Sequence, residues 1–196
     1  GKEKQKLAPT FAGIVSRLVE GKQKLKRRYD VGVVEIPGRD EARVSSKRLF
    51  EVLKEYGLLE SRKSVPDPIL EASEDFQRGF LQSLFTADGH VKGSLATGLA
   101  VRLTQNDLDL LKKIQLMLLN FGIASRIFQD RRKEQVKQMP DGKGGKKSYL
   151  FKPYHELAIS KDNLSRFRHE VGFLLEDKNE KLDARLALAR RGPYKE

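Results

Sequence analysis

An α+β fold built from a repeated unit is what this 196-residue sequence predicts, on three observations. Short stretches of β-branched residues come in pairs between stretches of helical periodicity. The segment SKRLFEVLKEYGLLESRK (46–63) reappears as SKDNLSRFRHEVGFLLEDK (160–178) in similar surroundings. A core-like helix, FQRGFLQSLFTADGHV (76–91), delivers a carboxylate in its last turn although the chain is strongly basic.

Taken in order, residues 7–20 (LAPTFAGIVSRLVE) read as a short amphipathic helix, followed by the basic run KQKLKRR at 22–28. Residues 29–36 and 42–46 carry strand chemistry, with Pro37-Gly38-Arg39-Asp40 as the turn between them. Ser46 stands where a helix cap belongs; Leu49, Phe50, Leu53 and Tyr56 recur at helical spacing, and Gly57 sits at the C′ position. Beyond it, Glu74 to Ala87 is helical, and 90–95 and 99–104 are strands around Gly98. The strongest amphipathic helix is 107–122, begun by Asn106 or Asp107 and closed by Gly122. A strand over 123–130, a long basic loop over 131–148, a strand over 154–160, a helix over 162–171 and an Ala/Leu/Arg-rich helix near 178–190 complete the reading.

The repeat aligns Ser46-Lys47 with Ser160-Lys161, Gly57 with Gly172 and Lys63 with Lys178, at an offset of 114 residues that grows to 115 at the glycine. Two half-domains follow. The helix at 76–89 belongs to the second half alone, and its counterpart in the first falls about 27 residues before Gly1. The expectation is therefore an incomplete first half-domain over 1–70, lacking that helix, and a complete second one over 71–196.

A formal net charge of +12, from 39 Lys and Arg against 27 Asp and Glu, calls for an anionic partner. Nucleic acid is the first candidate, because clustered cations release counterions from a polyphosphate; the bland alternative is a protein that merely runs basic. Cysteine is absent, which excludes disulfides and thiolate metal sites. Neither an apolar run of membrane-spanning length nor an export signal is visible, so the chain reads as cytoplasmic, with no membrane partner. His90, His155 and His169 lie too far apart in sequence to suggest a metal cluster.

Position by position, Leu81-Gln82-Ser83-Leu84-Phe85-Thr86-Ala87-Asp88-Gly89 resembles the nine-residue motif of the LAGLIDADG homing endonucleases, with Gln82, Ser83 and Thr86 in place of Ala, Gly and Asp. KSVP (63–66), EASEDFQRGFLQSLFTADG (71–89), LLNFGIASRIF (118–128) and HELAISKDNLSRFRHEVGF (155–173) resemble the intein-borne members, with ribonucleotide reductase as the host the resemblance implies. Intein splicing elements are not visible, neither a leading Cys or Ser block nor a terminal His-Asn.

The resemblance implies duplicated α-β-β-α-β-β-α half-domains whose curved antiparallel sheets lie over double-stranded DNA, and metal-dependent, site-specific cleavage. Two motif helices pack side by side in that family. Ser83 and Ala87 would form the seam, while Leu81, Leu84 and Phe85 face the core; the partner helix would come from upstream of Gly1 or from a second copy. Asp88, with Gly89, would hold Mg²⁺ or Mn²⁺ for phosphodiester hydrolysis. A carboxylate at a helix C-terminus is disfavoured by the dipole, which speaks against an ordinary helix end. Lys63 and Lys178, matched by the repeat, would stand by the attacking water. Candidate DNA contacts are Arg27, Arg28, Glu35, Arg39 and Arg43 in the first half. In the second they are Lys92, Arg102, Thr104, Gln105, Arg126, Gln129, Arg131 and Arg132, with Lys146 and Lys147 in a flexible flap at 139–147. For each of these the alternative is a solvated strand or surface residue. The rival function is a non-cleaving DNA-binding or RNA-maturase module of the same fold, which a single visible motif favours.

Overall fold

The chain folds as two units, Gly1–Arg62 and Lys63–Glu196, in a computed structural model that describes residues 4–20, 31–37, 41–55, 57–59, 65–94, 97–132, 134–140, 145–151 and 153–190. Unit 1 runs α1 (Lys4–Glu20), β1 (Val33–Glu35), β2 (Ala42–Val44) and α2 (Lys47–Glu55). The strands pair antiparallel, Val33 with Val44, Val34 with Arg43 and Glu35 with Ala42. Val15 and Val31 are its buried centre, with Val44 and Leu49 packed against them. Ser46 caps α2, its hydroxyl accepting from the Leu49 N–H at 3.2 Å. Gly57 ends that helix at φ +67°, the left-handed conformation that a side chain resists. An apolar groove of about 450 Å³ lies among Leu7, Phe11, Val15, Val44 and Leu49.

Unit 2 runs α3 (Asp67–Leu70), α4 (Glu74–Asp88), β3 (Gly89–Lys92), β4 (Ala100–Gln105), α5 (Leu108–Asn120), β5 (Arg126–Arg132), β6 (Gln135–Pro140), β7 (Lys146–Phe151), β8 (Tyr154–Ser160), α6 (Asp162–Glu170) and α7 (Glu176–Arg190). Apart from the short α3, the β6–β7 insertion and the additional α7, this is the α-β-β-α-β-β-α order that the resemblance implies. Four antiparallel strands form its sheet in the order β3-β4-β8-β5. Asp107 caps α5, accepting from the N–H groups of Asp109 and Leu110. Gly122 and Gly172 close α5 and α6 at φ +65° and +63°.

Alternation divides the sheet into two faces. Val101, Leu103, Leu157 and Ile159 are fully buried on one, together with Leu81 and Phe85 of α4, Leu111, Ile114, Met117 and Leu118 of α5, and Phe167 of α6. Phe167 stands edge-on to Phe85 at 5.0 Å and to Phe173 at 5.4 Å between centroids. Leu84, expected in the core with Leu81 and Phe85, is only half-buried. Among the described residues, no helix is long and apolar enough to cross a membrane.

Two expectations are corrected. The basic stretch 131–148 is not a long loop: β6 and β7 pair antiparallel, with Val136 opposite Leu150, Lys137 opposite Tyr149 and Gln138 opposite Ser148. Charge hid a hairpin whose cross-strand partners are half polar and half apolar. The strand expected at 123–130 starts later, at Arg126, because Ile123 is still buried under the Gly122 turn, its N–H bonded to the Leu118 carbonyl.

Candidate active site and basic sheet face

Ser73 starts α4, its hydroxyl accepting from the Phe76 N–H, and Glu74 and Asp75 suit the positive end of the helix dipole. Asp88 is the last residue of the same helix, at the end the dipole makes negative. Two side chains compensate. Gln105, at the end of β4, donates from Nε2 to Asp88 Oδ2 at 2.8 Å. Lys178, near the start of α7, donates from Nζ to the Thr86 carbonyl at 2.6 Å and reaches the Gly89 carbonyl at 3.4 Å. A cation thus sits on the last turn of α4, with its contacts on either side of Asp88. Lys178→Met is expected to destabilise unit 2 by about 1–2 kcal/mol, the worth of a charged hydrogen bond at a helix C-terminus; urea unfolding measures it.

Two of the three residues by which the motif departs from the LAGLIDADG pattern, Thr86 and Gln82, hold the helix in place. Thr86 Oγ1 donates to the Gln82 carbonyl at 2.6 Å and accepts from the Leu174 N–H at 2.7 Å. Gln82 Nε2 donates to the Val171 carbonyl at 3.0 Å. One turn earlier, Arg78 bonds the carbonyl and the carboxylate of Glu170. Four polar side chains, counting Lys178, therefore clamp α4 to the segment 170–178. Gly89 is explained by close approach: a Cβ there would stand 2.5 Å from the Phe85 carbonyl oxygen. Ser83 is half-buried and Ala87 exposed, and a Cβ on the exposed Gly79 would meet nothing, so one side of α4 is lined by small residues at four-residue spacing.

Away from the helices, the other sheet face is basic. Register puts His90, Arg102, Ala158 and Arg126 in one row across all four strands, and Thr104, Glu156 and Phe128 in the next. Lys92 pairs with Ala100 and Arg132 with Tyr154, on that same face. Aromatic rings hold several arginines: the guanidinium carbons of Arg126 and Arg131 lie 4.9 and 5.4 Å from the Phe128 centroid, and that of Arg132 lies 5.0 Å from the Tyr154 centroid. The shift in register between Phe128 and Arg132 includes Asp130 at φ +48°, whose N–H donates to His155 Nδ1 at 3.2 Å. The His90 pKa is lowered by partial desolvation of a ring that is still exposed. That outweighs the opposing pull of Glu156 and is reinforced by Lys92, Arg102 and Lys178.

Of the residues singled out in the sequence, the structure brings Asp88, Gly89 and Lys178 together and adds Gln105, which reads in the sequence as a DNA contact. Strand alternation carried that signal, since Gln105 follows Thr104 and so faces the other way. Lys92, Arg102, Thr104, Arg126, Arg131 and Arg132 lie on or along the basic face, and Gln129 is exposed in the irregular stretch of β5. Lys146 and Lys147 are exposed on β7, opposite Pro140 and Met139. In unit 1, Glu35 and Arg43 are exposed strand residues. Arg27, Arg28, Arg39 and Lys63 lie outside the described residues. Glu156 drew no attention in the sequence.

Among the described residues, no three His, Asp or Glu side chains gather as metal ligands. The end of α4 offers oxygen donors, but the Gly89 carbonyl, expected beside Asp88 as a ligand, faces the Lys178 ammonium at 3.4 Å, which leaves the exposed Asp88 carboxylate. That donor suits a hard divalent cation which keeps most of its water and takes further oxygens from a phosphate.

Residues 75–172 match the LAGLIDADG-like domain family. Ribonucleoside-diphosphate reductase NrdEB subunit alpha of Bacillus subtilis (strain 168) is 31% identical over 170 residues, a match covering 82% of this chain and 16% of the relative. Ribonucleoside-diphosphate reductase large subunit of Invertebrate iridescent virus 6 is 36% identical over 107 residues, covering 55% and 11%. The chain therefore spans about a sixth or less of the length of these relatives. Among solved structures, I-DmoI in complex with DNA and Ca superposes with a TM-score of 0.52 at 23% identity, over 93% of this chain and 77% of that one. An I-DmoI variant in complex with its target DNA in the presence of Mg gives 0.50 at 22%, over 86% and 73%. At these identities the likeness is one of fold.

Proposed function

The chain belongs to the LAGLIDADG-like domain family, and from that premise we propose that it is the nuclease region of an intein-type homing endonuclease that cuts double-stranded DNA at a specific site. The observation that carries this reading is Asp88: an exposed carboxylate at the end of the motif helix, oriented by Gln105, at the head of the strand that opens the basic face. I-DmoI, whose fold this chain shares, has been solved with DNA and with Ca or Mg, which supports DNA as substrate and a divalent cation as cofactor. The reductase relatives support a ribonucleotide reductase host.

In this reading the arginines and lysines of the sheet hold phosphates and present donors to base edges in the major groove. Gln105 keeps Oδ2 of Asp88 engaged, leaving Oδ1 to face a cation. Mg²⁺ or Mn²⁺, when bound, supplies charge neutralisation at the phosphate and an acidified water. Lys178 holds the helix end in place and keeps a positive charge near the scissile group. The exposed small-residue side of α4, at Gly79, Ser83 and Ala87, is the seam for a second motif helix, from the same polypeptide or from a second copy. The two-half-domain organisation, with the boundary near residue 70, belongs to the same proposal.

The test is incubation with Mg²⁺ and a duplex library that includes uninterrupted ribonucleotide reductase coding sequence. The protein assayed carries the second motif helix: cutting at one site then supports the nuclease, and binding without cutting under every divalent ion supports the non-cleaving module, which the single Asp-ended motif of the sequence favours. Affinity should also fall steeply with salt. With about 6–10 phosphate contacts, the loss between about 50 and 200 mM is roughly 10³–10⁵-fold. A flat salt titration by fluorescence anisotropy would point to another ligand.

A further inference from the structure

Glu156 is out of place on a face that meets phosphates. It lies mid-strand in β8, in register with Thr104 and Phe128 on the basic side of the sheet, and its side chain is only 7% exposed. So covered, it has little surface with which to accept a hydrogen bond from a cytosine amino group. Its partners are arginines instead. Arg102, one row away on β4, donates from Nη1 to Glu156 Oε1, and Arg131 Nε stands 3.8 Å from the same oxygen. Both side chains keep exposed surface, 22% and 49%; Arg102 Nε is buried without a hydrogen-bond partner, so the Nη end of its fork is the part turned to a ligand. Arg131 is fixed a second time by Phe128.

Physical chemistry gives this arrangement a use. An untethered arginine is a flexible cation that follows any phosphate, and its contribution carries no sequence information. Reading guanine requires two donors of one fork at a set position. A buried acid beneath the fork fixes that position and also cancels part of the local positive charge, which weakens binding to every sequence alike. The fixed position raises the ratio of specific to non-specific affinity, while the cancelled charge lowers the phosphate binding that every sequence offers. We infer that Glu156 is a positioning residue for sequence reading: its carboxylate holds Arg102, and with it Arg131, so that their forks meet base edges of duplex DNA rather than phosphates. This rests on the DNA-binding reading above.

The experiment selects bound sequences from a randomised duplex library with the 196-residue chain, with Glu156→Gln and with Arg102→Gln, and measures each protein's affinity for random duplex against salt. The wild-type chain is expected to enrich a motif. Glu156→Gln and Arg102→Gln should lose preference at the same base pair, by roughly fivefold to a hundredfold. Glu156→Gln alone should bind random duplex more tightly, with a salt slope steeper by about one, as for one added phosphate contact. An unchanged motif and discrimination in Glu156→Gln overturns the inference while leaving DNA binding intact. A wild-type chain that enriches nothing sinks sequence-specific reading itself, and the inference with it. Should Glu156→Gln fail to fold, Glu156→Asp, which keeps the charge but draws it away from the fork, decides the matter by the same criterion.

Discussion

With a second motif helix in place, Asp88→Asn is expected to reduce metal-dependent cleavage of at least one DNA strand by roughly 10³-fold or more, because a cation and the charge it neutralises contribute several kcal/mol to the transition state and each 1.36 kcal/mol is a decade in rate. DNA affinity should change little. The amide keeps the shape of the carboxylate and an oxygen for the Gln105 donor, while phosphate binding belongs to the sheet arginines and lysines. Strand-specific end labels, read with Mg²⁺ and with Mn²⁺, separate loss of one cut from loss of both. Both strands cut at the wild-type rate would reduce Asp88 to the end of a helix.

Phe167→Ala should be the most damaging single change to unit 2, at about 3–5 kcal/mol for deleting a buried phenyl ring. The ring is fully buried and touches Phe85 on one side and Phe173 on the other. Loss of the ring opens a cavity directly under the motif helix and removes two edge-to-face contacts. Urea unfolding gives the size. Cleavage measured well below the transition gives the functional part, since α4 carries the acid and a helix that tilts into the cavity misplaces it. A loss under about 1 kcal/mol would mean that Phe85 and Phe173 close over the gap.

Local chemistry made most of the helices legible. Ser46, Ser73 and Asp107 sit where caps belong and do cap, and Gly57, Gly122 and Gly172 take the left-handed conformation that ends their helices. The motif could be read because its apolar positions, Leu81 and Phe85, fall where a core-facing helix needs them. The β6–β7 hairpin was not legible, since its strands bury no continuous apolar row and their alternation is drowned by lysine and glutamine. Nor were the partners of Gln82, Thr86 and Lys178, which depend on how distant segments pack. Alternation along β4 did separate Gln105 from Thr104, but only knowing that β4 ends beside α4 turns that parity into a contact with Asp88.

The clamp on α4 also bears on when the protein acquires its chemistry during synthesis. Thr86 meets Leu174 across 88 residues of chain and Lys178 across 92. A ribosome that has released residues through Ser160 has made the whole motif helix, the acid and Gln105, yet neither Leu174 nor Lys178, which hold Thr86 in the last turn of that helix. Nascent and prematurely terminated chains of that length therefore carry Asp88 without the clamp on its helix. On the proposed reading, cutting would wait until α7 has emerged.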